Sequence, residues 1–160
     1  MSPQADSRTD SSRTDSGAAA GERRPHLLAQ AGEVVCALPL AAVRQVVKAL
    51  QVHRLPGAAD ELSGLAEFAG EPLPVLDLAR LVGAAPGASP AYPVTVICWA
   101  GGGRELVGLA ADAALEVVPI DLAAVVSVEG GVTAGEARLG ERVVRVLDLA
   151  ALGGDGGGGG

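Results

Sequence analysis

Few residues in this chain have the types or spacings that chemistry requires. Cys36 and Cys98 are the candidate nucleophiles, and His26 and His53 are the candidate bases or metal ligands. The cysteines form no Cys-x-x-Cys pattern and lie in apolar runs, where a reduced cysteine behaves as a small hydrophobic residue. A disulfide or a reactive thiol is the minority alternative. His26 follows a polar leader and His53 adjoins Arg54, so we expect exposed or hydrogen-bonded side chains and no metal or cofactor site.

Two further patterns are typical of phosphate binding or proton transfer, but each has a simpler structural explanation. Gly101-Gly102-Gly103 is followed by a strand-like run and not by the Lys-Ser or Lys-Thr of a phosphate loop, which favours a hairpin turn. Asp77 and Asp148 could act as acid and base if the two halves of the chain faced each other. Both begin an Asp-Leu-Ala sequence that recurs at Asp121, where an aspartate can cap a helical turn. The sequence therefore predicts no catalytic residues and favours a binding or scaffolding module over an enzyme.

A five-residue repeat indicates how the chain is organised. Val-Leu-Asp-Leu-Ala occurs at Val75 to Ala79 and again at Val146 to Ala150, each time a few residues after a Gly-Glu step. An internal repeat of this kind predicts two similar subdomains.

Composition excludes several classes of partner. The formal net charge is -7, and the 12 basic residues form no stripe that would neutralise phosphates, so we expect no nucleic acid partner. Aromatic residues make up only 2% of the chain, which argues against base stacking. No apolar run reaches the length of roughly 18 residues that a membrane helix needs, and the polar first residues lack a signal peptide's apolar core. These features predict a cytoplasmic protein without membrane insertion.

The two ends of the chain are low in complexity. Residues 1–25 carry the unbroken repeat Ser-Arg-Thr-Asp-Ser, and residues 153–160 are almost pure glycine. Neither segment offers enough apolar surface to offset the entropy of ordering, so both are predicted to be disordered. For the leader, a phosphorylated or partner-binding arm is the alternative.

Between the ends, residues 26–152 read as strands joined by tight turns. Glycine-containing turns separate apolar runs in four predicted hairpins. The hairpins are Leu27–Gln30 with Glu33–Leu38, Leu65–Phe68 with Leu73–Asp77, Val94–Trp99 with Glu105–Ala110, and Val132–Leu139 with Val143–Asp148. Two hairpins in each half predict two small antiparallel barrels, with subdomains at roughly 26–83 and 92–152. Periodicity leaves the stretch from Leu40 to Val52 undecided between helix and strand.

The order of several short motifs is the most specific signal in the sequence. The first half carries Val43-Arg44-Gln45-Val46, Leu55-Pro56, Gly64-Leu65-Ala66-Glu67-Phe68-Ala69-Gly70 and Pro74-Val75-Leu76-Asp77-Leu78. The second half carries Leu106-Val107-Gly108-Leu109-Ala110-Ala111-Asp112, then Glu116-Val117, Leu139-Gly140-Glu141 and Val143 to Leu149. In this order and spacing, the chain resembles the CheW-like domains of bacterial chemosensory systems, from about Leu27 to Leu152.

The resemblance implies a fold, a function and partners. It implies an all-β chain of two five-stranded barrels of the Src-homology-3 type, with a helical turn near Leu40 to Val43 and a strand through Val46-Val47. It also implies a non-enzymatic adaptor for chemotaxis or motility signalling, which couples the tip of a methyl-accepting chemoreceptor to the regulatory domain of a CheA-like histidine kinase at the receptor array. The partner-binding residues that it implies are Val43, Gln45, Val46, Leu65, Glu67, Phe68, Ala69 and Gly70.

The chain departs from the family pattern at two of these positions. Gln45 stands where the family has glutamate, and Ala69 stands where it has arginine. Losing both partners of a charged pair leaves no unpaired buried charge, so the fold is expected to persist while partner specificity changes. A structural or competitor module that occupies array sites without coupling is the first alternative, and a small cysteine-dependent enzyme is a remote one.

Overall fold

Strands account for most of the described residues, which are 22–85, 93–128 and 132–152 of this computed structural model. Among these residues the strands are β1 (Arg23–Ala31), β2 (Val34–Pro39), β3 (Val43–Lys48), β4 (Leu62–Phe68), β5 (Glu71–Asp77), β6 (Val94–Ala100), β7 (Glu105–Ala111), β8 (Ala113–Asp121), β9 (Val126–Ser127), β10 (Thr133–Leu139) and β11 (Arg142–Leu147). The helical elements are α1 (Leu78–Leu81) and the 3-10 helices Leu40–Ala42, Leu122–Ala124 and Leu149–Ala151.

The strands form two sheets, and each sheet curls back on itself. The five-stranded sheet has the order β3-β6-β7-β5-β4, and the six-stranded sheet has the order β8-β1-β2-β11-β10-β9. In the six-stranded sheet the edge strands β8 and β9 are joined by the short Leu122–Ala124 helix, which requires the two edges to approach. In the five-stranded sheet, His53 beyond β3 pairs with Leu65 of β4. We call the two sheets the five-stranded and six-stranded barrels.

Gly64 makes the closure of the five-stranded barrel possible. It adopts a φ of +148°, and a Cβ at this position would lie 2.2 Å from the His53 carbonyl oxygen. Only a residue without a side chain allows the two backbones to come this close. The same site carries a β-bulge between Leu62 and Gly64, where β4 bends toward the other edge.

The two sheets have the same architecture. In each sheet, an edge strand pairs antiparallel with the first strand of a hairpin. The second strand of that hairpin pairs parallel with the next strand in the sheet, and this strand pairs antiparallel with the last of the five equivalent strands. The equivalent strands are β3 and β8, β6 and β1, β7 and β2, β5 and β11, and β4 and β10. The repeated Val-Leu-Asp-Leu-Ala ends β5 in one barrel and β11 in the other. The repeat therefore does mark two similar subdomains.

The predicted subdomain boundaries, however, are wrong. The division into 26–83 and 92–152 assigned the hairpins to barrels in sequence order, two to each half. Instead β1 and β2 join the C-terminal strands in the six-stranded sheet, and the middle of the chain forms the five-stranded sheet. The parallel pairing of β11 with β2 is the physical reason, since it places the two ends of the ordered chain in one barrel.

Most local predictions are confirmed. All four hairpins form, as β1–β2, β4–β5, β6–β7 and β10–β11. The undecided stretch resolves into a 3-10 helix followed by β3. Each Asp-Leu-Ala aspartate accepts a hydrogen bond from a backbone N–H two residues later, at 3.1 Å for Asp77 and 3.0 Å for Asp121 and Asp148. These three carboxylates are N-caps of short helices.

The predicted disordered ends lie mostly outside the described residues. Residues 1–21 and 153–160 are not described. At the N-terminal boundary the prediction is wrong by three residues, because Arg23, Arg24 and Pro25 pair with β8 as the start of β1. Among the described residues, no helix has both the length and the apolar character needed to cross a bilayer.

Buried residues form one cluster inside each barrel and a third cluster between the barrels. On β1, Leu28 points into the six-stranded barrel, while its neighbours Leu27 and Ala29 lie in the shared cluster. On β6, Ile97 points into the five-stranded barrel, while Val96 lies in the shared cluster. Central strands are thus buried on both faces, which explains why they read as continuous apolar runs and not as an alternating pattern. The shared cluster joins the barrels into one body.

Candidate functional site

The two edges of the five-stranded barrel meet along a surface that we call the β3–β4 seam, defined by Arg44 and Val46 on β3 and Phe68 on β4. Val43 pairs with Cys98 and Gln45 pairs with Ile97, so Arg44 is the extra residue of a β-bulge. Such a bulge redirects a side chain. The Arg44 guanidinium carbon lies 5.6 Å from the centre of the Phe68 ring, a cation–π contact between the two edges.

The structure brings the two sets of sequence-predicted partner residues to the two sides of this seam. Val43, Gln45 and Val46 lie on β3, Leu65, Glu67 and Phe68 lie on β4, and Ala69 and Gly70 form the turn into β5. Gln45, Glu67, Ala69 and Gly70 are exposed, and Val46 is 39% exposed. Val43, by contrast, packs partly against the shared core, and Leu65 is half-buried. The seam therefore combines accessible polar groups with an exposed valine and a half-buried aromatic ring.

The Ala69-Gly70 turn has a geometry that disfavours large side chains. Ala69 has a φ of 54° and Gly70 has a φ of 80°. Two consecutive left-handed residues are typical of the tight hairpin turns that match the twist of the strands. Ala69 is the only described residue other than glycine with a positive φ. The seam is held by Arg44 and Phe68, the immediate neighbours of Gln45 and Ala69, and not by a charged pair at those two positions.

The equivalent position in the six-stranded barrel carries the opposite charge. The pairing of β1 with β8 slips between Leu27 and Ala29, which places the extra residue of β8 at Leu115 or Glu116. Glu116 accepts a hydrogen bond at 3.0 Å from the Arg142 guanidinium on β11. Each barrel thus has a bulged edge strand whose charged residue contacts a strand on the far side of its sheet.

A groove lies between the two barrels, and we call it the inter-barrel groove. It has a volume of about 460 Å³ and is lined mainly by small and apolar residues. These residues are Pro39, Ala41, Ala42, Trp99, Gly102, Gly103, Leu147, Asp148, Leu149 and Ala150. Its one aromatic wall, Trp99, is 37% exposed. Asp148 is engaged as the N-cap of the Leu149–Ala151 helix, so the groove offers apolar contact and little charge.

Trp99 connects the groove to the seam. Besides bordering the groove, it borders a second depression together with Phe68, Pro72, Pro74 and Leu106. Phe68 in turn carries the cation–π contact of the seam. The groove and the seam are therefore linked by this depression, which Trp99 and Phe68 both border.

Sequence reasoning missed Arg44, Trp99 and the groove residues as candidates for binding. The chain contains one tryptophan, and an exposed tryptophan in an otherwise aromatic-poor protein is a usable signal for a binding surface. Arg44 was not identified because the alternation of side chains along a strand does not predict where a β-bulge occurs. The residues that line the groove could not be identified from the sequence because its two walls lie in different barrels.

The residues that suggested chemistry occupy structural positions. His53 is exposed, His26 is buried with Nδ1 2.9 Å from the Arg24 carbonyl oxygen, and Gly101–Gly103 form the β6–β7 turn. Cys36 and Cys98 are free and buried in the shared core. Burial raises the pKa of both thiols from 9.0 to about 12, and the nearby Arg145 only partly opposes this for Cys36. A nucleophilic cysteine requires the opposite shift.

The buried thiols predict a loss of stability at high pH. The unfolded chain releases these protons near pH 9.0, whereas the folded chain retains them to about pH 12. Stability is therefore full below pH 9 and falls as the pH rises toward 12, by up to about 1.4 kcal/mol per pH unit for each thiol. Urea midpoints of the wild type and of Cys36→Ala/Cys98→Ala, measured from pH 8 to 10.5, should diverge, with the steeper decline in the wild type. Parallel declines would contradict the burial of the thiols.

Comparison with known proteins gives two positive findings. The sequence matches the model of the CheW-like domain family over residues 25–155. Among solved structures, the chain is similar to the scaffolding protein TtCheW from Thermoanaerobacter tengcongensis, with a TM-score of 0.70 and 21% identity over 80% of this chain and 90% of that chain. At this identity the likeness concerns the fold, and it confirms the predicted all-β architecture of two barrels, one of which has six strands and not the predicted five. A comparison with curated proteins found no match.

Proposed function

Because the chain belongs to the CheW-like domain family, we propose that it is a non-enzymatic adaptor that couples chemoreceptors to a histidine kinase in a bacterial chemosensory pathway. The observation that carries this proposal is the pair of adjacent surfaces, seam and groove, on a body whose barrels share one core. An adaptor must hold two partners at once in a fixed relation. A rigid body with two neighbouring binding surfaces meets that requirement.

The two surfaces suit different partners. The seam presents Arg44, Val46 and Phe68 along two barrel edges, which suits the regulatory domain of a CheA-like kinase. The family resemblance implies that this kinase domain has the same fold. The inter-barrel groove is apolar and open, which suits the helical tip of a methyl-accepting chemoreceptor, since amphipathic helices lay their apolar face into such grooves. We assign the kinase to the seam and the receptor to the groove.

The departures at Gln45 and Ala69 alter the charge that a kinase domain would meet. Neither residue is charged, and Arg44 is the cation that remains at the seam. No described carboxylate pairs with Arg44, so its charge is available to a partner. The cognate kinase domain is accordingly expected to present a carboxylate opposite Arg44.

Reconstitution tests the proposal directly. Purified chain, the cognate kinase and receptor-containing membranes are mixed, and kinase autophosphorylation is measured with and without receptor ligand. We expect kinase activity to come under receptor control only when the chain is present.

Arg44→Glu should weaken kinase binding about ten-fold, since a charge reversal at an interface places like charges together. Arg138→Glu, at an exposed position on β10, is the control and should have little effect.

A second candidate function is a competitor module that occupies array sites without coupling. The loss of charge at both Gln45 and Ala69 favours it, because fewer directional contacts fix a partner's orientation. The same reconstitution distinguishes the two. If the ternary complex forms but the kinase ignores the receptor, the chain is a competitor; if no complex forms with either partner, both functions are wrong.

A further inference from the structure

A second cavity lies at the end of the six-stranded barrel, next to a buried histidine. His26 is only 2% exposed, although it lies on β1 among apolar neighbours. The cavity has a volume of about 330 Å³, and its walls include Pro25, Leu40, Leu122 and Val146. Pockets for small molecules are typically concave and mostly apolar with a few polar groups, and this size is at the lower end of their range.

The hydrogen bond of His26 fixes which of its nitrogens remains available. Nδ1 lies 2.9 Å from the carbonyl oxygen of Arg24. A carbonyl oxygen only accepts, so Nδ1 carries the proton and donates. In the neutral ring Nε2 is then an acceptor, and no described residue donates to it. His26 borders the cavity, so Nε2 is the ring nitrogen left to accept a hydrogen bond from a bound molecule.

The charged residues at the cavity are already engaged. The Arg24 guanidinium pairs with Glu22 at 2.9 Å, and Asp148 caps the helix that follows it through the N–H of Ala150. Among the described residues that border the cavity, the acceptor on His26 is therefore the buried polar group without a partner. Buried polar groups are nearly always hydrogen-bonded, and one left alone calls for a partner from outside the protein.

We infer that this cavity binds a small, neutral, mostly apolar molecule whose single hydrogen-bond donor is accepted by His26 Nε2. The apolar walls favour a ring or short alkyl body, and the one free acceptor selects a hydroxyl or N–H group. Charged molecules are disfavoured because the walls are mainly apolar, Arg24 already pairs with Glu22, and Asp148 already caps a helix. The inference does not depend on the adaptor function.

The position of the cavity gives such a ligand access to the inter-barrel groove. Pro39, Ala41, Leu147 and Asp148 border both the cavity and the groove. A molecule bound in the cavity would rest against the wall that a groove partner contacts from the other side. Occupancy of the cavity would thus stabilise one arrangement of that wall.

Phenol, anisole and toluene test the inference, because they share a ring while only phenol has a donor. We expect phenol to shift amide signals of Ala41, Leu122 and Ala134 in ¹⁵N–¹H spectra of the full chain. In His26→Phe, the ratio of the toluene Kd to the phenol Kd should fall by about ten-fold, the equivalent of one hydrogen bond. In the wild type, anisole should bind more weakly than phenol, which keeps the test decisive if His26→Phe does not fold.

Two matched variants locate the binding. Ala134→Leu narrows the cavity and should abolish the shifts for phenol and toluene. Ala49→Leu, at an exposed position just beyond β3 in the five-stranded barrel, should leave them unchanged. Phenol shifts that persist in Ala134→Leu would overturn the site. Equal affinity for phenol and anisole in the wild type would overturn the role of His26 as the acceptor. The absence of a shift with any probe would overturn ligand binding and mean that the cavity holds only water.

Discussion

Replacement of Leu109 by alanine is expected to lower the free energy of unfolding by about 2–5 kcal/mol, the usual cost of a large cavity in a core. Leu109 lies on β7 with no exposed surface and belongs to the shared cluster between the barrels. Because this cluster contains residues of both sheets, neither barrel can keep its outer face buried without the other. We therefore expect both barrels to unfold in one transition.

Two probes separate a single transition from two. Trp99 is the only tryptophan and lies on β6 of the five-stranded barrel, so its fluorescence reports that barrel, whereas far-ultraviolet circular dichroism reports both. Leu28→Ala, inside the six-stranded barrel, should shift the urea midpoint of Trp99 fluorescence as much as that of circular dichroism. Val143→Ala, at a position 47% exposed, is the control and should stay within about 0.5 kcal/mol. Separate midpoints for the two probes would refute the shared core as the source of cooperativity.

Replacement of Trp99 by alanine is expected to weaken binding of the receptor tip about thirty-fold, or about 2 kcal/mol, as truncation of a central aromatic residue does in many interfaces. Trp99 is the aromatic wall of the groove, and at 37% exposure it keeps enough buried surface to remain rigid. Kinase binding at the seam should change by less than about three-fold, since Arg44 and Val46 are untouched and only the neighbouring depression is altered.

Calorimetric titration with a receptor-tip fragment and, separately, with the kinase regulatory domain measures both effects. Val126→Ala is the matched control, because Val126, at 68%, is the most exposed large apolar residue in the described part of the chain and lies on β9, outside the groove. It should leave both affinities unchanged. An equal loss of affinity for kinase and receptor in Trp99→Ala would mean that the seam and the groove are one surface, and a loss in Val126→Ala would place a partner on the other barrel.

The local structure of this protein follows from residues that lie close together in the chain. Turn residues such as Gly32 and Gly140 specify hairpins because glycine adopts a positive φ without the steric clash that a Cβ would cause. The aspartates of Asp-Leu-Ala specify helix caps because each accepts a hydrogen bond from a backbone N–H only two residues later. The burial of Cys36 and Cys98 could likewise be read from the apolar runs that contain them.

The way in which these hairpins combine into barrels depends on pairing between distant segments of the chain. Nothing between residues 26 and 83 indicates that β1 and β2 belong with the C-terminal strands, because the parallel pairing of β11 with β2 joins segments about a hundred residues apart. The candidate surfaces have the same origin. Arg44 reaches Phe68 because a bulge redirects it. The groove exists because the packing of the two barrels brings Trp99 and Leu147, which lie on different sheets, to the same depression. Short-range chemistry fixes hairpins and caps, whereas binding surfaces depend on long-range pairing that no local pattern encodes.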